Sequence, residues 1–597
     1  MPPKRRQPGV EPMRPRPAPA HQNQQQVGTS AVQVHPLANP AILARIGVFL
    51  DKGSLLQCIR VSRCWHQSFI PKIWRTTSLF IAFELVAIPH RTFIRHAAHI
   101  KTLILPVEDA VMFPTGQDII CPNLEELEVE RSSSCIPEGE NLWDKREFNR
   151  AEKSMVRLIR NHSNCLKSLT FNGYLAPPLL DAIIACKKLE RLDIAAMFAD
   201  RQSILNMVGG KADPGLEKWA TEFGEFLSRL RSLALYRTWY EDLRKWREPP
   251  IYRKLVELLS NIGPTKIQEL DLDTGEVMEE AYANLPLFLV RKSPELTRLK
   301  WTIKDESGHK NVPMAILAKA SASELPPERL QRLERLELPK AKFDDADFRK
   351  VIQSIRSLAG LDLSATNFNG SHWKLFQDDV AHHLESLTQV DVQQCTELTG
   401  ETVQNILCSL PNLQIFKADY IKDVNFLEDD RPWVCRRMKE LTLAFVGTRW
   451  GTEPAFLSRL STLTQLEELS LAMAFTQRER LPFDEDFVYE PFTETYNSND
   501  VDYTECRQHV LMLTQEHGLD QLRALRRLRI LEGTFNRRAL WSEEEAWFAL
   551  REWLFLESLE GFVLDSQAAK YLKPRVNISK CEVMSMTMEG DPLFLSW

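Results

Sequence analysis

Histidine and cysteine are the side chains through which this 597-residue chain could hold a metal or attack a substrate, and it has 13 of the first and 11 of the second. One grouping is conceivable on paper. His162 and Cys165, with Cys121 and Cys135, are the nitrogen and thiolate ligands that zinc favours. Their spacing matches no zinc finger, and cysteine is among the residues most often buried, so the expectation is structural burial and no metal. His382 and His383 adjoin, but neighbours on a helix point in different directions. The chain has no G-x-x-x-x-G-K-[ST] phosphate loop, no G-x-S-x-G elbow and no H-E-x-x-H pair. It therefore reads as a non-enzyme with no cofactor.

What remains is charge carried on a regular frame. Glu269, Asp271 and Asp273, then Glu337, Asp362 and Asp391, and towards the C-terminus Lys417, Arg527 and Arg529, stand between or beside apolar residues of short alternating stretches. Such stretches are half-buried strands, with polar side chains on the open face. The expectation is that the acidic central residues receive a basic segment of a protein partner. The competing reading is a solvated strand face that binds nothing.

The frame is clearest from Leu387 to Leu413. Leu387, Val390 and Val392 follow L-x-x-L-x-L, and Cys395 comes three residues later, where a small side chain able to bond a turning backbone is wanted. Thr399 is placed to cap a helix whose apolar face is Val403, Ile406, Leu407 and Leu410, and Pro411 ends it. Leu413 then restarts the pattern 26 residues after Leu387. A single strand and helix cannot close a core alone, so the unit implies stacked copies. Starts recur at Ile100, Leu124, Leu166, Leu189, Leu230, Ile267, Leu296, Leu333, Leu358, Leu387, Leu413, Met438, Leu466, Leu525 and Leu556. In this the chain resembles leucine-rich repeats of the cysteine-containing subtype. The resemblance implies an α/β fold, a horseshoe-like solenoid with a parallel sheet on its concave face.

Ahead of the repeats, residues 1–34 read as a disordered tail rich in Pro, Gln and Arg. Lys4, Arg5 and Arg6 could signal nuclear import or simply keep the tail solvated. Residues 35–76 carry a compact helical pattern, 77–99 a connection, and 100–597 the repeats. A long acidic, aromatic loop is expected at about 476–508, centred on Arg478–Asp502. Met584, Met586 and Met588, alternating with polar residues and Val583, suggest a final strand with methionines on one side.

In the helical pattern, Asn39 and Pro40 can open a first helix carrying Ile42, Leu43, Ile46 and Leu50. Ser54 and Gln57 are spaced as a capping box for a second helix with Leu55, Leu56 and Ile59, and Val61, Trp65 and Trp74 follow. The order of Pro40, Ile42 and Leu43, the Leu55-Leu56 pair, Val61-Ser62-Arg63-x-Trp65 and the closing Trp74 resembles the F-box. Asn39, Ala41 and Gly47 depart from that pattern, and a glycine within a helix is about 1 kcal/mol less favourable than alanine. An F-box before leucine-rich repeats implies a substrate receptor of an SCF-type ubiquitin ligase. The box would dock on a Skp-family adaptor bound to a cullin, and the repeats would hold a protein target. A non-ligase repeat scaffold or inhibitor is the alternative.

Composition bounds the partners. A net charge of −6 and a sequence pI near 6.2 argue against nucleic acid or an anionic membrane surface. No apolar run reaches the roughly 20 residues needed to span a bilayer. With scattered cysteines, no C-x-x-C pair and no apolar run in MPPKRRQPGV, the expectation is a reducing compartment, cytoplasm or nucleus.

Overall fold

Leucines that alternate with polar residues set the architecture, because each such run buries one face and leaves the other open. The computed structural model describes residues 37, 39–78, 90–106, 120–130, 145–174, 177–197, 214–236, 263–273, 284–302, 317–318, 330–421, 431–446, 454–474, 513–533, 540–586 and 592–596. The chain divides into two compact units, Met1–Trp74 and Arg75–Trp597. The tail of residues 1–34 and the loop at 476–508 lie outside the described residues.

The described residues of the first unit form three helices, α1 (Pro40–Ile46), α2 (Lys52–Cys58) and α3 (Arg63–Arg75). Asn39 caps α1 by accepting from the Ala41 N–H at 2.9 Å, and Pro40 supplies the preset first turn. The cap of α2 is Asp51, whose carboxylate accepts from the Ser54 N–H at 2.6 Å. Ser54 is therefore the third helical residue and not the cap that its spacing to Gln57 suggested. Leu43, Leu55, Phe69 and Ile73 form the core, with Ile46, Leu50, Cys58, Ile59, Cys64, Trp65 and Trp74 packed against it. Gly47 falls at the end of α1 rather than inside it, so the helix-interior penalty does not apply. A β-carbon there would lie 2.9 Å from Phe69 Cε1. The Phe69 ring fills the space beside Gly47.

The second unit is one long α/β array. Its described residues include 19 strands in a single open sheet, from Thr76–Ser78 to Pro592–Ser596. The first 18 are parallel, and the last runs antiparallel to Asn577–Met586. From repeat to repeat each strand lies beside the next in sequence, as the stacking of copies requires. Register follows the apolar residues: Leu361 pairs with Val390, Val390 with Phe416, Phe416 with Leu441, Leu441 with Leu469 and Leu469 with Leu531. A slip of one residue would turn all of these outwards. Each is essentially fully buried, and burying such a side chain is worth about 1.5–3 kcal/mol.

The repeat from Leu387 shows how the sequence turns the chain. Cys395 Sγ donates to the Leu363 carbonyl of the preceding repeat at 3.2 Å and sits 3.5 Å from Thr366 Oγ1. Thr399 caps the helix Gly400–Ser409, whose Val403, Ile406 and Leu407 close onto the sheet. In the longer interval from Leu124 to Leu166 the connection carries an 18-residue helix, Lys145–His162.

Each expected start carries a strand, but the frame at Leu525 is displaced. Arg529 N–H donates to the Glu467 carbonyl just as Glu467 N–H donates to Lys439, so this repeat begins at Leu528. Leucines at 519, 522, 525, 528 and 531 fit more than one frame, and the 3-10 helix Leu519–Ala524 uses up the first of them. The sequence reading also missed the strand Thr76–Ser78, paired with Thr102–Ile104, because only Thr77 of its three residues is buried. Near the far end, Ser558–Asp565 pairs first with Ile530–Glu532 and then with Leu540–Trp541. At the change of partner, Gly561 has φ +73°, and a β-carbon on it would overlap the carbonyl oxygen of Gly533. Met584 and Met586 do lie on the final parallel strand, while Met588 is outside the described residues.

Candidate functional site

The chemistry-bearing histidines are structural. His162 is buried, its Nε2 accepting from the Cys121 N–H at 2.9 Å and its Nδ1–H donating to the Leu158 carbonyl at 2.7 Å. Cys165 Sγ donates to the His162 carbonyl at 3.3 Å, and Cys135 is outside the described residues. His383 occupies the same place four residues before its repeat start, accepting from the Leu358 N–H through Nδ1 at 3.1 Å. Both rings brace one repeat against the strand start of an earlier one, and burial lowers the basicity of both. Among the described residues no group of three or more His, Cys, Asp and Glu could hold a metal ion.

The three-helix unit separates its apolar residues into two sets. Leu43 and Leu55 are core, while Ile46, Leu50, Ile59, Trp65 and Trp74 are partly buried against them. Trp65 meets Phe69 edge-on at 5.6 Å and donates Nε1–H to the Leu37 carbonyl at 2.8 Å. Pro40 is exposed at the head of α1. Ile42, Leu56 and Val61 are exposed by 38%, 46% and 63%. Val48 and Phe49, which the sequence reading passed over, are exposed by 73% and 87%. With Leu37, exposed by 43%, six large apolar side chains among the described residues of this unit are thus in contact with water.

On the sheet, the acidic residues stand where alternation puts them. Glu269, Asp271 and Asp273 share one strand with buried Leu270 and Leu272, and Glu337, Asp362, Asp391 and Lys417 hold the same open-face position on later strands. They do not form one uninterrupted acidic stretch. Asp271 Oδ2 accepts from Tyr236 Oη at 3.2 Å and from Lys300 Nζ at 3.1 Å. Glu337 takes Arg298 in a two-pronged pair at 2.8 and 3.0 Å, and Lys417 meets Glu440 at 2.5 Å. Asp362 and Asp391 each accept from the N–H two residues on, at Ser364 and Gln393, and so turn the chain at the strand ends. Burial pushes the Asp391 carboxyl up to about 6, and the charges of Asp362 and Asp419 add to this. Asp193, not picked out from sequence, is also pushed up to about 6, by burial first and then by Asp271.

Arg527 and Arg529 are not on this face. With the repeat starting at Leu528, both precede the strand Ile530–Glu532. Arg527 is exposed, and Arg529 grips Glu557 at 3.0 and 2.8 Å and reaches Glu467 at 4.0 Å. This position, one after the first leucine, carries alternating charge elsewhere too: Lys101 and Lys167 flank Glu125 at 2.8 and 3.3 Å, and Arg231 faces Glu190 at 3.9 Å. Exposed pairs of this kind add little stability each, but the alternation favours correct stacking of neighbouring repeats.

Comparison with known proteins adds a distant likeness only. No known family profile matches the chain, and no curated protein does. Among solved structures, it is similar to a chain in the crystal structure of the Rad7 and Elc1 complex in yeast, at 12% identity and a TM-score of 0.35, over 68% of this chain and 87% of that one.

Proposed function

We propose that this chain is the substrate-recognition subunit of an SCF-type ubiquitin ligase, working in the cytoplasm or nucleus. Its three-helix unit docks on a Skp-family adaptor, and through it on a cullin, while the repeats hold a protein target. The observation that carries this reading is the exposed set of Ile42, Val48, Phe49, Leu56 and Val61 on a unit whose residue order resembles an F-box. Helices that leave such side chains in water favour a helical partner with a complementary apolar groove. No catalytic residue is needed. Holding a target lysine near a ubiquitin-charged enzyme raises its effective concentration, and proximity does the work.

The test is co-purification of the full chain with a Skp-family adaptor and a cullin. Trp65 is a poor site for a variant, because it packs on Phe69 and pins Leu37. Phe49→Asp with Leu56→Asp removes exposed side chains only. Binding by the wild type that is lost in this variant, with its circular dichroism unchanged, supports a ligase receptor. No binding by a folded wild type leaves the repeats as a protein-binding scaffold.

A further inference from the structure

Two helices of the last repeats, Glu543–Glu552 and Ser566–Leu572, pack side by side on the side of the sheet away from the open strand face. On the first, Trp547 is 53% exposed. Its indole is nonetheless held. Nε1 donates to Glu543 Oε1 at 3.2 Å, and the ring lies 5.2 Å from that of Tyr571 with the planes 44° apart. The same carboxylate lies near the Tyr571 hydroxyl and pushes its ionisation up. One carboxylate thus stands beside two tilted aromatic rings, and Glu544 next to it is also exposed.

An exposed tryptophan face attracts a cation, and a carboxylate at its edge attracts the same charge. A guanidinium satisfies both at once, since it stacks flat on aromatic rings and pairs with carboxylates in a fixed direction. We propose that Trp547, Tyr571 and Glu543 receive an arginine side chain from a basic segment of a protein partner. Charge decides this occupant over a purely apolar one, because Glu543 and Glu544 are both exposed in the first turn of the helix, while Glu545 is buried in its cap. This site is independent of the ligase reading and of the strand face.

The full chain labelled with 5-fluorotryptophan gives one fluorine resonance for each of its 14 tryptophans, and Trp547→Phe identifies the relevant one. It is titrated with N-acetyl-arginine amide, with N-acetyl-lysine amide and with sodium chloride at matched ionic strength. The Trp547 resonance is expected to shift saturably with the arginine amide, less with the lysine amide and not with salt. Glu543→Gln should weaken the arginine response by at least about threefold. A resonance that stays still, or that moves equally in Glu543→Gln or with salt alone, overturns the proposal.

Discussion

Two buried ionisable groups in one repeat have opposite effects on stability. His383 accepts from the Leu358 N–H, so a proton on that nitrogen breaks the bond, and burial with the neighbouring His382 holds its pKa at about 4 against an ordinary 6.5. Between those values unfolding takes up a proton. The contribution of His383 is therefore complete above about 6.5 and is lost as the pH falls towards 4. Asp391 runs the other way. Its folded value of about 6 lies above the ordinary 3.8, so its neutral form is tolerated and its charge destabilises the fold as pH rises through that window. Asp391→Asn keeps an acceptor for the Gln393 N–H and removes the charge. It should raise the Tm by about 1–2 °C at pH 7.5 and change little at pH 4; a lower Tm at pH 7.5 would mean that the ionised carboxylate is itself stabilising. His383→Ala should lower the Tm at pH 7.5 and flatten its fall between pH 7 and 5, read by thermal scans at each pH.

At the scale of elements, the sequence was informative wherever a periodic apolar pattern was long enough to count. The strand from Leu387 and its capped helix are as their spacing says, because Val390, Val392, Val403 and Ile406 can all be buried in one frame only. Where leucines recur every three residues, as from Leu519 to Leu531, several frames bury equal area and the hydrogen bonds choose between them. Polar Thr76–Ser78 offers no pattern at all. The candidate docking surface was half legible for a related reason. Leu-Leu at 55 and 56 marks an amphipathic helix but not which leucine faces out, and Gly47 reads as a defect inside a helix that in fact ends there, which leaves the exposed Phe49 outside any periodic pattern. Gly561 tests how far one element depends on one residue. At φ +73°, with Gly533 against it, Gly561→Ala must move a backbone, and a destabilisation of about 2 kcal/mol or more is expected. Hydrogen exchange should show it as lost protection at Leu531 and Leu559, the paired residues next to the contact; unchanged protection there would mean that the two strands adjust freely.

Across the whole molecule the division into two units has a consequence for function. The exposed apolar set belongs to residues 42–61, and the open strand face belongs to the repeats, so damage to one should leave the other working. In a stacked array each repeat rests on its neighbours, and stability is a sum of local contacts rather than a property of one core. Phe49→Asp with Leu56→Asp should therefore abolish adaptor capture and leave the thermal unfolding of the array within about 1 °C of the wild type. Lysine at Asp193 and Asp271 should do the reverse. Burial and then Asp271 disfavour the charge of Asp193, and Lys300 stands 3.1 Å from Asp271. Reversing both removes the acidic side chains a basic target would meet, without touching the helical unit. Adaptor pull-down and target pull-down from one lysate separate the two effects. If the lysine variant loses the adaptor as well, recognition and docking are not separable, and a receptor that works by proximity alone no longer accounts for the chain.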